Sequence, residues 1–204
     1  MTFFYSTDDY VEFRTKEKSD EPTPGEAIDL GLSVKWASHN VGASSPEGYG
    51  GYYAWGETEE KSDYSQGTYK YYSTGYINIG SNISGTQYDV AHVKWGGSWR
   101  MPTLSEFREL VNNCTWKWTT YNGVNGQLVT GPNGNSIFLP AASVRYGTKL
   151  DYRGSVVRYW SATLYKLGQD GAYTLYFSAA YRYSRVEWNV NGCAFGHTVR
   201  PVTD

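Results

Sequence analysis

The chain has 204 residues, with 18 basic and 20 acidic side chains and a net charge of −2. That is long enough to bury one large core and too evenly charged to track a phosphate backbone, so a nucleic-acid partner is not expected. No apolar run approaches the roughly 18 residues that a membrane-spanning helix needs.

Leu, Ile, Val and Phe together supply only 37 residues, against 20 Tyr and 8 Trp. The core must therefore be built largely from aromatic side chains whose polar ends need partners. Residues 1–25 close with Thr15-Lys16-Glu17-Lys18-Ser19-Asp20-Glu21-Pro22-Thr23-Pro24-Gly25, too charged and Pro-rich to pack, and read as an arm or linker. Met1–Tyr5 lacks the basic and then apolar pattern of a secretory signal, which leaves three readings open: a cytosolic protein, one that reaches the outside by another route, such as a virion, or a start after the signal; the expected place is an extracellular surface or a virion.

The domain begins near Ile28, where Val34 and Trp36 alternate with Lys35 as on a half-buried strand. Ser44–Gly51 is a turn, and Tyr52-Tyr53-Ala54-Trp55 reads as a second short strand. The polar, tyrosine-rich stretch from Glu57 to about Asp89 reads as a surface excursion whose rings lie over the core. A helix follows at about 103–113. Thr103 and Glu106 have capping-box spacing, Leu104, Phe107, Leu110 and Val111 share one face, and Asn112-Asn113 ends it.

Trp116-Lys117-Trp118 resumes strand alternation. Turns at Asn122-Gly123, Asn125-Gly126 and Gly131-Pro132-Asn133-Gly134 then separate the runs Leu128-Val129 and Ile137-Phe138-Leu139 as hairpins. The last third offers strands at Arg158–Ala162, Ala172–Phe177, Tyr183–Asn189 and Thr198–Val202. The fold class is α+β, dominated by short twisted strands.

Motifs for phosphate loops, dinucleotide sites, serine hydrolases and zinc proteases are all missing. His39, His92 and His197 lack ligand-like spacing, and Cys114 and Cys193 read as ordinary packed thiols that can form at most one bridge. Glu187 and Asn189, two apart on a strand, offer calcium two oxygens, which is too few; no cofactor or metal is expected.

The informative segment starts at Tyr159. Residues that look like scaffold (Trp160, Ser161, Leu175, Phe177, Gly196, Val199-Arg200-Pro201-Val202) are interspersed there with an irregular mixture. That mixture is Tyr165, Leu167, Tyr181, Tyr183, Arg185, Glu187, Trp188, Asn189, Asn191, Phe195 and His197. Such residue types give binding surfaces contact area and adaptable hydrogen bonds. Trp188 and Phe195 read equally well as core.

Five motifs carry a family likeness: Ala27-Ile28-Asp29-Leu30-Gly31-Leu32-Ser33-Val34-Lys35-Trp36-Ala37, Tyr52-Tyr53-Ala54-Trp55-Gly56-Glu57, Trp99-Arg100-Met101-Pro102-Thr103, Tyr159-Trp160-Ser161-Ala162-Thr163 and Val199-Arg200-Pro201-Val202. Over roughly Glu26–Asp204 the chain resembles C-type-lectin-fold domains of the Bacteroidetes and Fibrobacter paralogous type, related to formylglycine-generating enzymes. Within that group it is similar to the variable proteins of diversity-generating retroelements, found on phage tails and bacterial surfaces.

The resemblance implies a C-type lectin-like domain at 26–204 with a variable segment at about 159–202. It also implies a non-catalytic receptor-binding or adhesin role toward a protein or glycan, with the eleven residues of the irregular mixture as the ligand face. A fixed-specificity surface or structural module attached or oligomerised through the arm is the alternative. An oxidase of the formylglycine-generating type is a weaker one, since the paired active-site cysteines are not matched.

Overall fold

Val34 and Trp36 are buried and Lys35 between them is exposed in the computed structural model of the chain, as their alternation requires. The structure describes residues 23–72, 79–166, 170–179 and 187–204, with only the backbone at 187–190. Residues 1–22 of the arm lie outside that range. β1 (Ala27–Ile28) and β11 (Val202–Thr203) flank β2 (Lys35–Ala37) in an antiparallel sheet, with Ala27 opposite Ala37 and Val202 opposite Trp36. Arg200 locks this sheet to its surroundings: its buried guanidinium donates to Asn40 Oδ1 (2.7 Å), the Ala37 carbonyl (2.9 Å) and the Phe138 carbonyl (2.8 Å).

Tyr52–Trp55 is not a regular strand. Only Tyr53 forms a bridge, with His197, and the next inward amide, Trp55 N–H, reaches back to the Cys193 carbonyl at 2.8 Å. Two residues on one chain thus span four on the other, which breaks a ladder, and all four side chains are buried rather than alternating. In the following excursion Tyr64 and Tyr69 are inserted into the core rather than laid over it. Their hydroxyls donate to the Tyr52 and Trp55 carbonyls, the latter at 2.7 Å.

The excursion leads into α1 (Val90–Trp95), a helix the sequence reading does not anticipate. Asp89 caps it, accepting from the amides of Ala91 (2.9 Å) and His92 (3.1 Å), while its other oxygen takes those of Gly85 (2.8 Å) and Met101 (2.7 Å). α2 (Leu104–Asn113) has the anticipated capping box, and Leu104, Phe107 and Leu110 are its buried face.

β3 (Thr115–Tyr121), β4 (Val124–Thr130) and β5 (Ser136–Pro140) form a second antiparallel sheet. Asn122 and Gly123, at φ 47° and 81°, make the tight β3–β4 turn expected of an Asn-Gly pair. Asn125-Gly126 is no turn: it lies within β4, opposite Thr120 and Thr119. Gly126 is needed there because a Cβ would collide with the Leu139 carbonyl on β5.

β6 (Val144–Tyr146) and β7 (Lys149–Asp151) make a small hairpin, followed by a sheet of β8 (Val156–Leu164), β9 (Gly171–Ser178) and β10 (Glu187–Gly192), with β9 central. The strand anticipated at Tyr183–Asn189 overlaps β10 at 187–189. Thr198–Val202 is a strand only at its end: the Val199 carbonyl takes the Val41 amide, and Pro201, whose carbonyl takes the Ala37 amide in the β2–β11 register, has no N–H to return the bond.

The β8–β10 sheet separates two cores. Val157, Tyr159, Leu175 and Phe177 pack with Phe107, Leu110, Val129 and Ile137, whereas Trp160, Ala162, Leu164 and Ala172 pack with Tyr52–Trp55 and Tyr64. Small antiparallel sheets with two short α-helices among the described residues make this an α+β fold. No described helix is long and apolar enough to cross a membrane.

Candidate functional site

At the Val156 end of β8 the sheet opens into a cavity of about 430 Å³. Val144 and Tyr146 of β6, Tyr152 and Ser155 of the β7–β8 connection, Val156 and Arg158 of β8, Tyr176 and Ser178 of β9, Asn191 of β10 and Phe195 line it. Four aromatic rings and one cation thus face a space that has no carboxylate among its described lining residues.

Hydrogen bonds on both sides fix the hairpin wall. Arg145 exchanges backbone bonds with Gly196 (2.8 and 2.9 Å), and the Tyr64 amide donates to the Gly147 carbonyl (2.8 Å). A Cβ on Gly196 would stand 2.7 Å from the buried Tyr64 ring, so only glycine allows that approach. Ser143 and Tyr152, just before β6 and just after β7, both have left-handed backbones (φ 65° and 60°). Such conformations are costly without glycine and persist where the surroundings enforce them. The Ser143 hydroxyl donates to the Asp151 carbonyl and its amide to the Val156 carbonyl (2.9 Å), closing the hairpin base. Tyr152, 70% exposed, is left standing at the cavity rim.

Arg158 lies opposite Tyr176 in the β8–β9 register, and its guanidinium stacks 4.5 Å from that ring's centre. Its Nε is buried without a hydrogen-bond partner, and among the described residues no carboxylate forms an ion pair with it. Burial holds its pKa below the ordinary arginine value, yet a guanidinium remains charged near neutrality.

Behind the wall, Asn191 takes the Gly192 amide on Oδ1 (3.0 Å), so its Nδ2 faces His197 Nε2 at 2.8 Å and the imidazole nitrogen accepts. His197 is held neutral, its pKa well below the usual value through burial first and the Arg158 charge second. A second cavity, of about 230 Å³, adjoins the first across Tyr146 and Phe195, whose rings meet edge to face at 4.8 Å. Asp170 and Gln66 line its far side, joined by a 3.3 Å hydrogen bond.

No known protein family, curated protein or solved structure matches the chain.

Of the eleven residues read from sequence as a ligand face, Asn191 and Phe195 line the main cavity. Tyr165 is exposed at the opposite end of β8, edge to face with Tyr173 at 5.5 Å, and is not in the lining. His197 does not belong to an exposed face: it has 0% exposure and packs 4.3 Å from Trp160, because its backbone pairs with Tyr53 inside the core. Glu187, Trp188 and Asn189 occupy β10 positions opposite Tyr176, Leu175 and Thr174. Leu167, Tyr181, Tyr183 and Arg185 lie outside the described residues.

Arg158, Tyr146, Tyr152 and Tyr176 were missed as site residues. Arg158 carried a legible signal: it shares strand parity with Trp160, so a strand there directs a cation toward the side of the sheet that holds a core tryptophan. Trp160, Ser161, Leu175, Phe177, Gly196 and Arg200, read as scaffold, are all buried. Among the described residues no cluster of three metal-ligating side chains occurs. Cys114 and Cys193 are both free thiols; burial pushes Cys114 up to about 11 and Cys193 higher still.

Proposed function

We propose that the domain is a non-catalytic ligand-binding module of the C-type lectin-like, retroelement-diversified kind, displayed on a cell surface or virion and recognising a protein or glycan. The observation that supports this reading is the aromatic-walled cavity with an arginine that no described carboxylate neutralises. Such a constellation is poised to hold a partner, because rings supply contact area at little entropic cost and a polar group fixes orientation. Strand β10 runs beside it, so substitutions there change the rim while the ladder to β9 persists. An oxidase reading draws no support from the thiols, which burial keeps protonated where a nucleophilic cysteine needs the thiolate.

The test is an array of glycans and surface proteins probed with the wild-type domain and with Tyr146→Ser/Phe195→Ser. The expected outcome is capture of one ligand class by the wild type and at least a tenfold loss in the double variant, with thermal unfolding little changed. Full capture by the double variant would move the site elsewhere. Sequencing the last 150 or so bases of the gene across one source population addresses diversification: substitutions are expected at the irregular positions of 165–195 and not at the buried His197, and an invariant segment means a fixed-specificity module.

A further inference from the structure

We propose that the main cavity takes an acidic sugar residue, its carboxylate on Arg158 and its ring against the tyrosine walls; this rests on the ligand-binding reading and names the ligand's chemistry. A cation drawn out of water is costly unless something compensates it. Here the compensation among described groups comes from Tyr176 alone, through its ring face at 4.5 Å and its hydroxyl, and the Nε has no hydrogen-bond partner among the described residues. The planar guanidinium fork matches a carboxylate with two parallel hydrogen bonds.

The neighbouring charges favour an incoming anion. His197 is neutral and the described lining residues include no acid, while Asp170 lies only in the adjoining cavity, across the Tyr146–Phe195 pair. The remaining polar lining suits hydroxyl groups. Ser155 donates its proton to the Tyr152 carbonyl at 3.2 Å and keeps acceptor lone pairs for a sugar hydroxyl. The Asn191 amide is committed to Gly192 and His197, which makes that wall rigid rather than adaptable. Tyr146, Tyr152 and Phe195 supply the faces on which the apolar side of a pyranose stacks. A bare phosphate or sulfate would leave these rings unused.

The experiment uses wild-type protein with glucuronate, galacturonate and N-acetylneuraminate, each set against its methyl ester, and with glucose and the dipeptide glycyl-tyrosine, followed by saturation-transfer NMR and titration. At least one acid is expected to bind at least tenfold more tightly than its ester and than glucose. Arg158→Gln is expected to remove that preference while its Tm stays equal or rises, because a half-buried charge with no ion-pair partner among the described residues is gone. A structural arginine would instead lower the Tm on removal.

Glu187→Gln, at the β10 position opposite Tyr176, is expected to leave the preference unchanged. A preference that emerges only in Glu187→Gln would assign the counter-charge to the chain itself and overturn the proposal. Equal binding of acid and ester, or tighter binding of glycyl-tyrosine, also overturns it while leaving a ligand-binding pocket in place. Silence toward every probe by a protein that still captures ligands on the array overturns the acidic-sugar assignment alone; silence on the array as well brings down both readings. The ester comparison needs no substitution, so it decides the matter even if Arg158→Gln does not fold.

Discussion

His39 and His197 are buried imidazoles with lowered pKa values, His39 down to about 4 through burial and the Arg200 charge. In the unfolded chain each protonates near 6.5, whereas the folded chain keeps them neutral, so acid draws the equilibrium toward the unfolded state. The stability they contribute is intact above pH 7, begins to fall near 6.5 and for His39 is spent by about pH 4, a loss of roughly 3 kcal/mol at one unit per 1.4 kcal/mol. Thermal unfolding across pH 8 to 4 checks this: a Tm flat above 7 and falling steadily below 6.5 is expected, and a flat profile down to 4.5 would contradict it. His197 shows why residue identity alone misleads. A polar side chain near the chain's end looks available, and only its backbone pairing with Tyr53 reveals that it is walled in.

Among the elements, α2 was legible in full because its signals are local: Thr103 and Glu106 satisfy each other's amides, and the apolar face repeats at helical spacing. α1 was not, since six residues are too few to display a period and its cap, Asp89, works through amides as far off as Met101. The same Asn-Gly pair is a turn at 122–123 and strand interior at 125–126, where the glycine answers to a neighbouring strand rather than to its own φ. Most of the candidate site was opaque for that reason: of its ten lining residues only Asn191 and Phe195 were read from the sequence. The cavity wall is a hairpin held by Gly196 and Tyr64, contacts that no periodicity encodes. Gly196→Ala pushes against a ring that cannot swing away, and a loss of about 1–3 kcal/mol is expected in urea unfolding. Ligand affinity should fall with it, as the hairpin wall shifts; an unchanged midpoint would mean that Tyr64 can relax.

For the molecule as a whole, the β8–β10 sheet forms a wall of both cores. Neither core can come apart while the other keeps its sheet face covered, which favours one cooperative transition. Trp116 and Trp118 flank one core and Trp55 and Trp160 sit in the other, so near-ultraviolet and far-ultraviolet signals are expected to melt together. Separate midpoints would indicate that the sheet can lose one partner and survive.

β1 and β11 lie on either side of β2, about two strand spacings or 10 Å apart. Residues 27 and 203 are therefore close enough for a short flexible bridge, and the path from one to the other is nearly a closed ring. A circular permutant joined there and reopened at Asn122-Gly123 retains every strand pairing except the tip of one hairpin. Read in the other direction, the same geometry makes the domain an insert: a host protein could carry it in a single surface loop, both connections leaving from one small patch.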